Sequence, residues 1–502
     1  MQRVLLINPE QIYYKKTYRS SGQGTVGLPL GLLYVAGALE NKGCLVKIVD
    51  SMLPGESKRT RSSAWVRYGL SSESLQNCIK EFKPDIVGIS SQFSSQEDGV
   101  FRTAALIKNL SGSISVLVGG ANVGCRINAF MADENIDIAV KNEAEDTVGE
   151  LADYFRGEKR LEEIKGIAYR KGAQIYESVN NNFIAELDKL PLPAYHLIDM
   201  EKYLTLYKNG VYVRDRDVKR NISMITSRGC PHGCIFCSVA LGMGKSWRAH
   251  SAPYIANHIK YLSKEYRVKH IHFEDDNLLF DIKRFLGFLE TLWEEDISWD
   301  TPNGIRVDLS IDEKILLQMR ASGCKSLTIA VESGDERVLN NIIKKALDLR
   351  EVEEFARRCK KTRVPLRAFF VLGFPGETKK SMQKTYDFSL LLARKYEVEI
   401  INLIATPLFG TELYKICRER KYLTEELTPK ALSESTVSDG RCLIATEDFS
   451  ACDVEEISKR LTSAAYLTIL LKRALLHPVQ LFKRVGNFYT FVRTVRRILL
   501  QD

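Results

Sequence analysis

Arg228-Gly229-Cys230-Pro231-His232-Gly233-Cys234-Ile235-Phe236-Cys237-Ser238 packs three cysteines into eight residues, at spacings of four and three. Cysteine thiolates are the usual protein ligands of iron–sulfur clusters, and a closed cluster takes four of them. Three on one short loop leave an iron without a protein ligand, open to a small molecule. The competing reading is a zinc knuckle completed by His232, since mixed cysteine and histidine sets bind zinc. Zinc ligands usually come as two separated pairs, and no second Cys-x-x-Cys occurs in the chain. The loop therefore reads first as an iron–sulfur site, with Cys230, Cys234 and Cys237 as metal ligands and catalytic centre.

Outward from the loop, strand and helix signals alternate in both directions. Downstream, strands are expected at 222–226, 270–274, 297–301, 326–331, 368–372 and 399–405, six βα units in all. Six units suit a partial barrel, whose active residues belong at the carboxyl ends of its strands. Upstream, strands at 4–7, 45–49, 86–90, 115–118 and 136–140 alternate with helices at 30–41, 74–82 and 104–110, which predicts a doubly wound parallel sheet. Ligands of such sheets bind beyond the carboxyl ends of the strands. That rule singles out Asp50, Ser91, Gly119, Gly120, Asn122 and Glu143. Between the two units, strands at 167–170 and 174–177 flank Lys171-Gly172-Ala173 as a small hairpin, and Leu187-Asp188-Lys189-Leu190-Pro191-Leu192-Pro193 stiffens a connector. The expected layout is α/β: 1–160 a nucleotide-fold sheet, 161–205 a connector, 206–425 the partial barrel and 426–502 a helical basic region.

The cysteine spacing, with the aromatic Phe236 just before the last cysteine, closely resembles the radical S-adenosylmethionine family. That resemblance implies a 4Fe-4S cluster whose open iron chelates S-adenosylmethionine and reductively cleaves it to a 5′-deoxyadenosyl radical. It also implies an external one-electron reductant. Leu28-Pro29-Leu30-Gly31-Leu32, Pro84-Asp85-Ile86-Val87-Gly88-Ile89-Ser90, Val118-Gly119-Gly120 and Asn142-Glu143-Ala144-Glu145, in this order, resemble the cobalamin-binding domain of one large subfamily. All seven histidines lie at His196 or later, so this domain has no histidine for cobalt. By resemblance, Glu274 and Asp275 would bind the amino group of S-adenosylmethionine and Glu332 its ribose, and the turn from Gly373 to Gly376 would bring backbone close to the ligand. Asp276 has a second reading, as cap of a helix opening at Asn277. Arg306 can grip a carboxylate or sit in a surface ion pair. Phe409 stands where the family more often has proline. Cys44, Cys78 and Cys125 fall in different elements and read as structural thiols, not as a second cluster. The implied activity is cobalamin-dependent methylation of an unactivated carbon, through a 5′-deoxyadenosyl radical and methylcobalamin. A cyclase of the anaerobic porphyrin type shares the architecture, and a zinc-binding adaptor is the rival from another class.

Composition narrows the setting. Eleven cysteines without a paired framework, and a cluster that needs reduced thiols, point to a reducing cytoplasm. No apolar run reaches the roughly 18 residues of a membrane span. The net charge of +9 is concentrated between Ile457 and Gln501, which hold nine Lys or Arg and no acid. From Leu481 to Leu499 apolar residues recur at three and four with Lys483, Arg493 and Arg497 off the stripe. Such a helix can lie peripherally on an anionic membrane or pack on its own barrel. The substrate is expected to be a small molecule, lipid or peptide, and without a recognisable RNA-binding module nucleic acid is disfavoured.

Overall fold

The computed structural model describes residues 1–14, 27–53, 58–62, 65–178, 183–206, 220–436 and 440–476. The amino-terminal sheet contains β1 (Arg3–Asn8), β2 (Leu45–Asp50), β3 (Ile86–Ser90), β4 (Ser115–Gly119), β5 (Ile138–Val140), β6 (Ile167–Lys171) and β7 (Gln174–Glu177), in the order β7-β6-β5-β4-β3-β1-β2. The first five run parallel. A parallel sheet is buried on both faces, and its strands are accordingly apolar at successive positions. Leu5, Ile7, Val87 and Ile89 pack under one helical layer, while Val4, Leu6, Ile86 and Leu117 pack under the other.

The 167–177 hairpin is more than a connector. It adds β6 and β7 antiparallel to the edge beside β5. Ile167, Ala168 and Tyr169 are buried, and an isolated hairpin could not hide them, which accounts for the docking. A second antiparallel sheet, Gln11–Tyr14 with Trp65–Gly69 and Lys58–Arg61, was not expected from the sequence.

The downstream half is a six-stranded, all-parallel sheet in chain order: β8 (Asn221–Met224), β9 (His270–Phe273), β10 (Ser298–Asp300), β11 (Cys324–Glu332), β12 (Leu366–Leu372) and β13 (Glu399–Ile404). Each returning helix begins at a side chain that accepts a backbone N–H from its first turn. Ser251, Asp281, Asp312, Asp348 and Thr378 do this for five successive helices. Asp281, not Asp276, is therefore the cap after β9.

One apolar core runs through both halves. Leu33 and Ala36 on the helix Leu30–Asn41 continue through Tyr195 to Ile255 and Ile259 behind β8. The Ala194 amide donates to the Leu33 carbonyl at 3.0 Å, fastening the connector to that helix. At the far end the helix Ala451–Leu476 packs beside β13, where Asn402 Nδ2 donates to Ser458 Oγ at 2.7 Å. No described helix is long and apolar enough to cross a membrane. The basic amphipathic stretch at 479–500 lies outside the described residues.

Candidate active site

From β8 the chain enters a two-stranded ribbon, Ser227–Arg228 against Arg248–Ala249, which aims the cysteine loop across the barrel mouth. Gly229 turns with φ +81°, where a Cβ would lie 2.4 Å from the Ser246 carbonyl oxygen, so only glycine fits. Backbone bonds from Cys230 N to Gly244 O, Ile235 N to Ile343 O and Leu413 N to Ile235 O hold the loop in place. All three cysteines remain half-buried and free. Among the described residues, only His270, His272 and Asp300 bring three metal-type donor atoms within 4.8 Å of one another. A tetrahedral zinc would draw its sulfur and nitrogen ligands to about 4 Å or less from each other. Cys230, Cys234, Cys237 and His232 form no such set within 4.8 Å. Burial pushes the three thiols up, Cys237 to about 11, and bound iron would supply the charge that deprotonates them.

Phe236 lies against Phe374, ring centroids 5.5 Å apart. Phe374 is set by the turn in which Gly373 and Gly376 adopt φ of +95° and +91°. Glu377 organises that turn from inside, its Oε2 accepting from Gly373 N (2.8 Å) and Phe374 N (2.9 Å). Burial pushes this carboxyl up to about 7, against an ordinary value of 4.5. The folded state therefore binds a proton that the unfolded chain has released, so stability falls as pH rises from about 5 to about 7. At about 1.4 kcal/mol per pKa unit the loss reaches about 3 kcal/mol. Glu377→Gln is expected to abolish this slope, matching wild type below pH 4.5 and exceeding it at pH 8. Urea unfolding at both pH values measures it, and an equal difference at both would contradict the assignment.

Three adjacent carboxylates end the second barrel strand, and they are not equivalent. Asp275 is buried, accepting from Thr226 N, Thr226 Oγ1 (2.7 Å) and Ser227 Oγ (2.5 Å), so it anchors the root of the cysteine loop. Glu274 accepts from Ser223 Oγ at 3.1 Å inside the barrel. Asp276 is the carboxylate beside the cysteines. Burial, and then Asp275, raise it to about 6, and its charge in turn lifts the thiols of Cys230 and Cys237. Arg306, whose charge bears on Cys230, donates to the Ala346 carbonyl and makes no ion pair there. Glu332 ends β11 at a register shift with φ +74° and accepts from Lys345 Nζ at 2.7 Å, both groups buried. Lys345 sits near enough to Cys234 to oppose the burial effect on its thiol. The sequence carried no signal for Lys345.

On the other side of the loop, an open cleft with about 200 Å³ of internal space lies between the amino-terminal sheet and the helices Leu30–Asn41 and Glu145–Phe155. Its walls are mainly apolar, and it reaches Arg228 and Met243 beside the cysteine loop. Close backbone approach shapes it: at Gly88 a Cβ would lie 2.8 Å from Leu6, and at Gly120 (φ +119°) 2.5 Å from the Ser91 carbonyl. Gly119 lines it too, and no histidine does. Ser91 Oγ accepts from Asn122 Nδ2, which also donates to Glu97, while Ser94 bonds the Asn122 amide oxygen and Arg126 pairs with Glu97 at 2.7 Å. This network locks the two loops that face the barrel. Asp50 serves its own loop, accepting from Asn8, Met52 N and the Tyr203 hydroxyl. Glu143 and Glu145 fasten the sheet to the cysteine loop: Arg248 Nη2 to Glu143 at 2.6 Å, Arg228 Nη2 to Glu145 at 2.5 Å. The apolar walls, the close backbone approach at Gly120 and the lack of a histidine in the lining suit the face of a corrin cofactor beside the cysteine loop.

Residues 224–389 match the Radical SAM superfamily and residues 23–152 match the B12 binding domain. The cytidylyl-2-hydroxyethylphosphonate methyltransferase of Streptomyces wedmorensis is 30% identical over 85% of this chain and 83% of its own. An uncharacterized methyltransferase of Pyrococcus horikoshii is 28% identical over 99% and 98%. The radical S-adenosylmethionine methyltransferase TsrM of Kitasatospora setae, solved with cobalamin and a 4Fe-4S cluster bound, superposes with a TM-score of 0.62 at 16% identity, covering 84% of this chain and 79% of that one. An iron–sulfur radical enzyme with a cobalamin-type sheet is thus the class that fold and site define. The chain belongs to the cobalamin-dependent radical S-adenosylmethionine methyltransferases, and its cofactors are a 4Fe-4S cluster, S-adenosylmethionine and cobalamin.

Proposed function

We propose that the protein methylates an unactivated carbon of a small molecule held in the barrel mouth. The observation that carries this reading is Arg228, which lines the cobalamin-type cleft and stands two residues before Cys230, so the cleft reaches the root of the cysteine loop. Bound there, the cluster with S-adenosylmethionine supplies a hydrogen-abstracting radical, and cobalamin a methyl group. The chain's own residues position these groups. Cys230, Cys234 and Cys237 hold the cluster. Asp276, Arg306 and the Glu332–Lys345 pair present charge around it, and the Phe236–Phe374 contact closes one side to water. A one-electron reductant and a reducing cytoplasm complete the requirements. Methyl transfer ranks above ring formation because the Streptomyces and Pyrococcus relatives, at 30% and 28% identity, are methyltransferases by name, whereas an anaerobic magnesium-protoporphyrin cyclase is 24% identical over 80% of the chain.

The test is anaerobic turnover with trideuteromethyl-labelled S-adenosylmethionine, hydroxocobalamin and candidate acceptors, the first being the nucleotidyl phosphonate named for the Streptomyces relative. Product carrying the label, with 5′-deoxyadenosine and S-adenosylhomocysteine formed alongside, supports the reading. Unlabelled product with a new ring would replace it by the cyclase. Because no histidine lines the cleft, labelling the protein's histidines with nitrogen-15 should leave the electron paramagnetic resonance of bound cob(II)alamin unchanged.

A further inference from the structure

Three parts of the molecule meet at the turn that follows β13. Gly410 adopts φ +79°, and a Cβ there would lie 3.0 Å from Leu241, on the short helix after the cysteines, and 3.4 Å from Cys125 Sγ, on the short helix after β4. A side chain at this position would wedge the three apart. Beside it, Phe409 is buried in an apolar cluster with Leu427, Leu432 and Leu443, and Tyr414 meets its ring edge-on at 5.3 Å between centroids. The turn is tied down as well, with Thr411 Oγ1 donating to the Leu408 carbonyl at 2.6 Å and Thr406 Oγ1 lying 2.8 Å from Ser435 Oγ.

Phe409 reaches beyond packing. The Arg126 guanidinium carbon stands 4.1 Å from its ring centroid, a cation–π distance. The same guanidinium pairs with Glu97, Nη2 to Oε1 at 2.7 Å and Nε to Oε2 at 3.4 Å. Glu97 Oε2 also accepts from Asn122 Nδ2 at 3.1 Å, and that amide donates to Ser91 Oγ at 3.1 Å. Gln92, next to Ser91, and Ala121, next to Asn122, line the cofactor cleft. A continuous line of side chains thus runs from the sixth barrel strand to the wall of that cleft.

The two holds on Arg126 differ in kind. The pair with Glu97 uses one edge of the planar group and leaves its faces bare, and the Phe409 ring covers one of them. The Arg126 side chain is 25% exposed and that of Glu97 only 3%, so the arginine can turn toward water whereas the carboxylate cannot follow. Without the ring, the pair would loosen toward the strength of a surface contact. Glu97 would then be left buried with less compensation, a cost that the turn carrying Ser91 and Gln92 relieves by rearranging. The family more often has proline at 409, and a proline ring has no π face. The clamp is therefore a property of this sequence and not of the fold.

We propose that Phe409 is a positioning residue for cobalamin: by holding the Arg126 guanidinium against its ring, it locks the turn from Ser91 to Gln96 in the shape that receives the corrin. Cofactor affinity is then set in part from the barrel, by a side chain that does not touch the cofactor. This rests on the cobalamin assignment and not on the transfer of a methyl group.

Hydroxocobalamin titration of the full-length, cluster-loaded protein, read by absorbance without S-adenosylmethionine or substrate, tests it. Phe409→Leu keeps apolar bulk beside Leu427 and Leu432 but removes the ring, and it should weaken cobalamin binding by about tenfold, the scale of one partly buried cation–π contact. Phe409→Tyr keeps the ring face and should keep most of the affinity. Arg126→Gln should weaken binding at least as much as Phe409→Leu, and the double variant no further than Arg126→Gln alone, because both changes break one link. Iron content and thermal unfolding establish that each variant is folded and loaded. Losses that multiply in the double variant would reveal two independent effects and overturn the proposal, as would wild-type affinity in Phe409→Leu or an equal loss in Phe409→Tyr. If Phe409→Leu unfolds, Phe409→Met, which fills the site with a flexible chain and also lacks a ring, takes its place. Unchanged affinity in Arg126→Gln, which leaves the apolar cluster whole, refutes the clamp in either case. Because nothing turns over, a failed methylation assay leaves this result standing, and unchanged affinities leave methylation standing.

Discussion

Alanine at any one of Cys230, Cys234 or Cys237 is expected to remove essentially all bound iron and all S-adenosylmethionine cleavage, while leaving the chain folded. Two thiolates cannot retain a cluster whose fourth iron has no protein ligand. The fold should survive because backbone bonds to Gly244, Ile343 and Leu413 hold the loop, and the thiols are only half-buried. Anaerobic iron and sulfide analysis, visible absorbance and 5′-deoxyadenosine release read the outcome together. One alanine variant with full iron and activity would sink the assignment. Full iron without cleavage would instead mean that the cysteine serves the cluster's reactivity but is not needed to retain it.

The second large effect is structural and concerns the junction between the halves. Arg228 lies between Glu143 and Glu145, its side chain 9% exposed and theirs 3% and 7%. Burial would lower its pKa, but the two carboxylates overcome that and hold the guanidinium firmly charged. Removing one partner of such a set strands buried charge, which typically costs about 3–5 kcal/mol. Arg228→Met should lose about that much in urea unfolding. Arg228→Met combined with Glu145→Gln should recover part of it, because fewer negative charges are then left unpaired. Glu143 keeps Arg248 in either case. A single-variant cost below about 1 kcal/mol would show that the arginine is solvated in solution and does not latch the two halves.

Periodicity carried much of the fold. Five amino-terminal and six barrel strands stand where alternating apolar runs placed them, with ends shifted by one or two residues, because β-branched runs between glycine-rich turns have few other uses. What it could not carry was partnership. Residues 167–170 and 174–177 read as a small hairpin, which they form, but nothing local tells an edge strand from an isolated one. The Gln11–Tyr14 sheet pairs segments about fifty residues apart and leaves no local trace. At the site, spacing alone singled out the three cysteines as candidates. Asp275 and Asp276 were not separable, because which of two neighbours turns into the core depends on the strand ending at Phe273 and the ribbon formed by Ser227 and Arg248.

The apolar core that continues from Leu33 through Tyr195 to Ile259 bears on how such enzymes diversify. Two halves sharing one core cannot be traded between relatives as independent modules, since a chimera would mismatch the seam at every bridging side chain. New specificity must then arise by point changes on the lumen-facing positions of the barrel strands. Alternate residues of those strands face away from the seam, so changing them leaves the shared core intact.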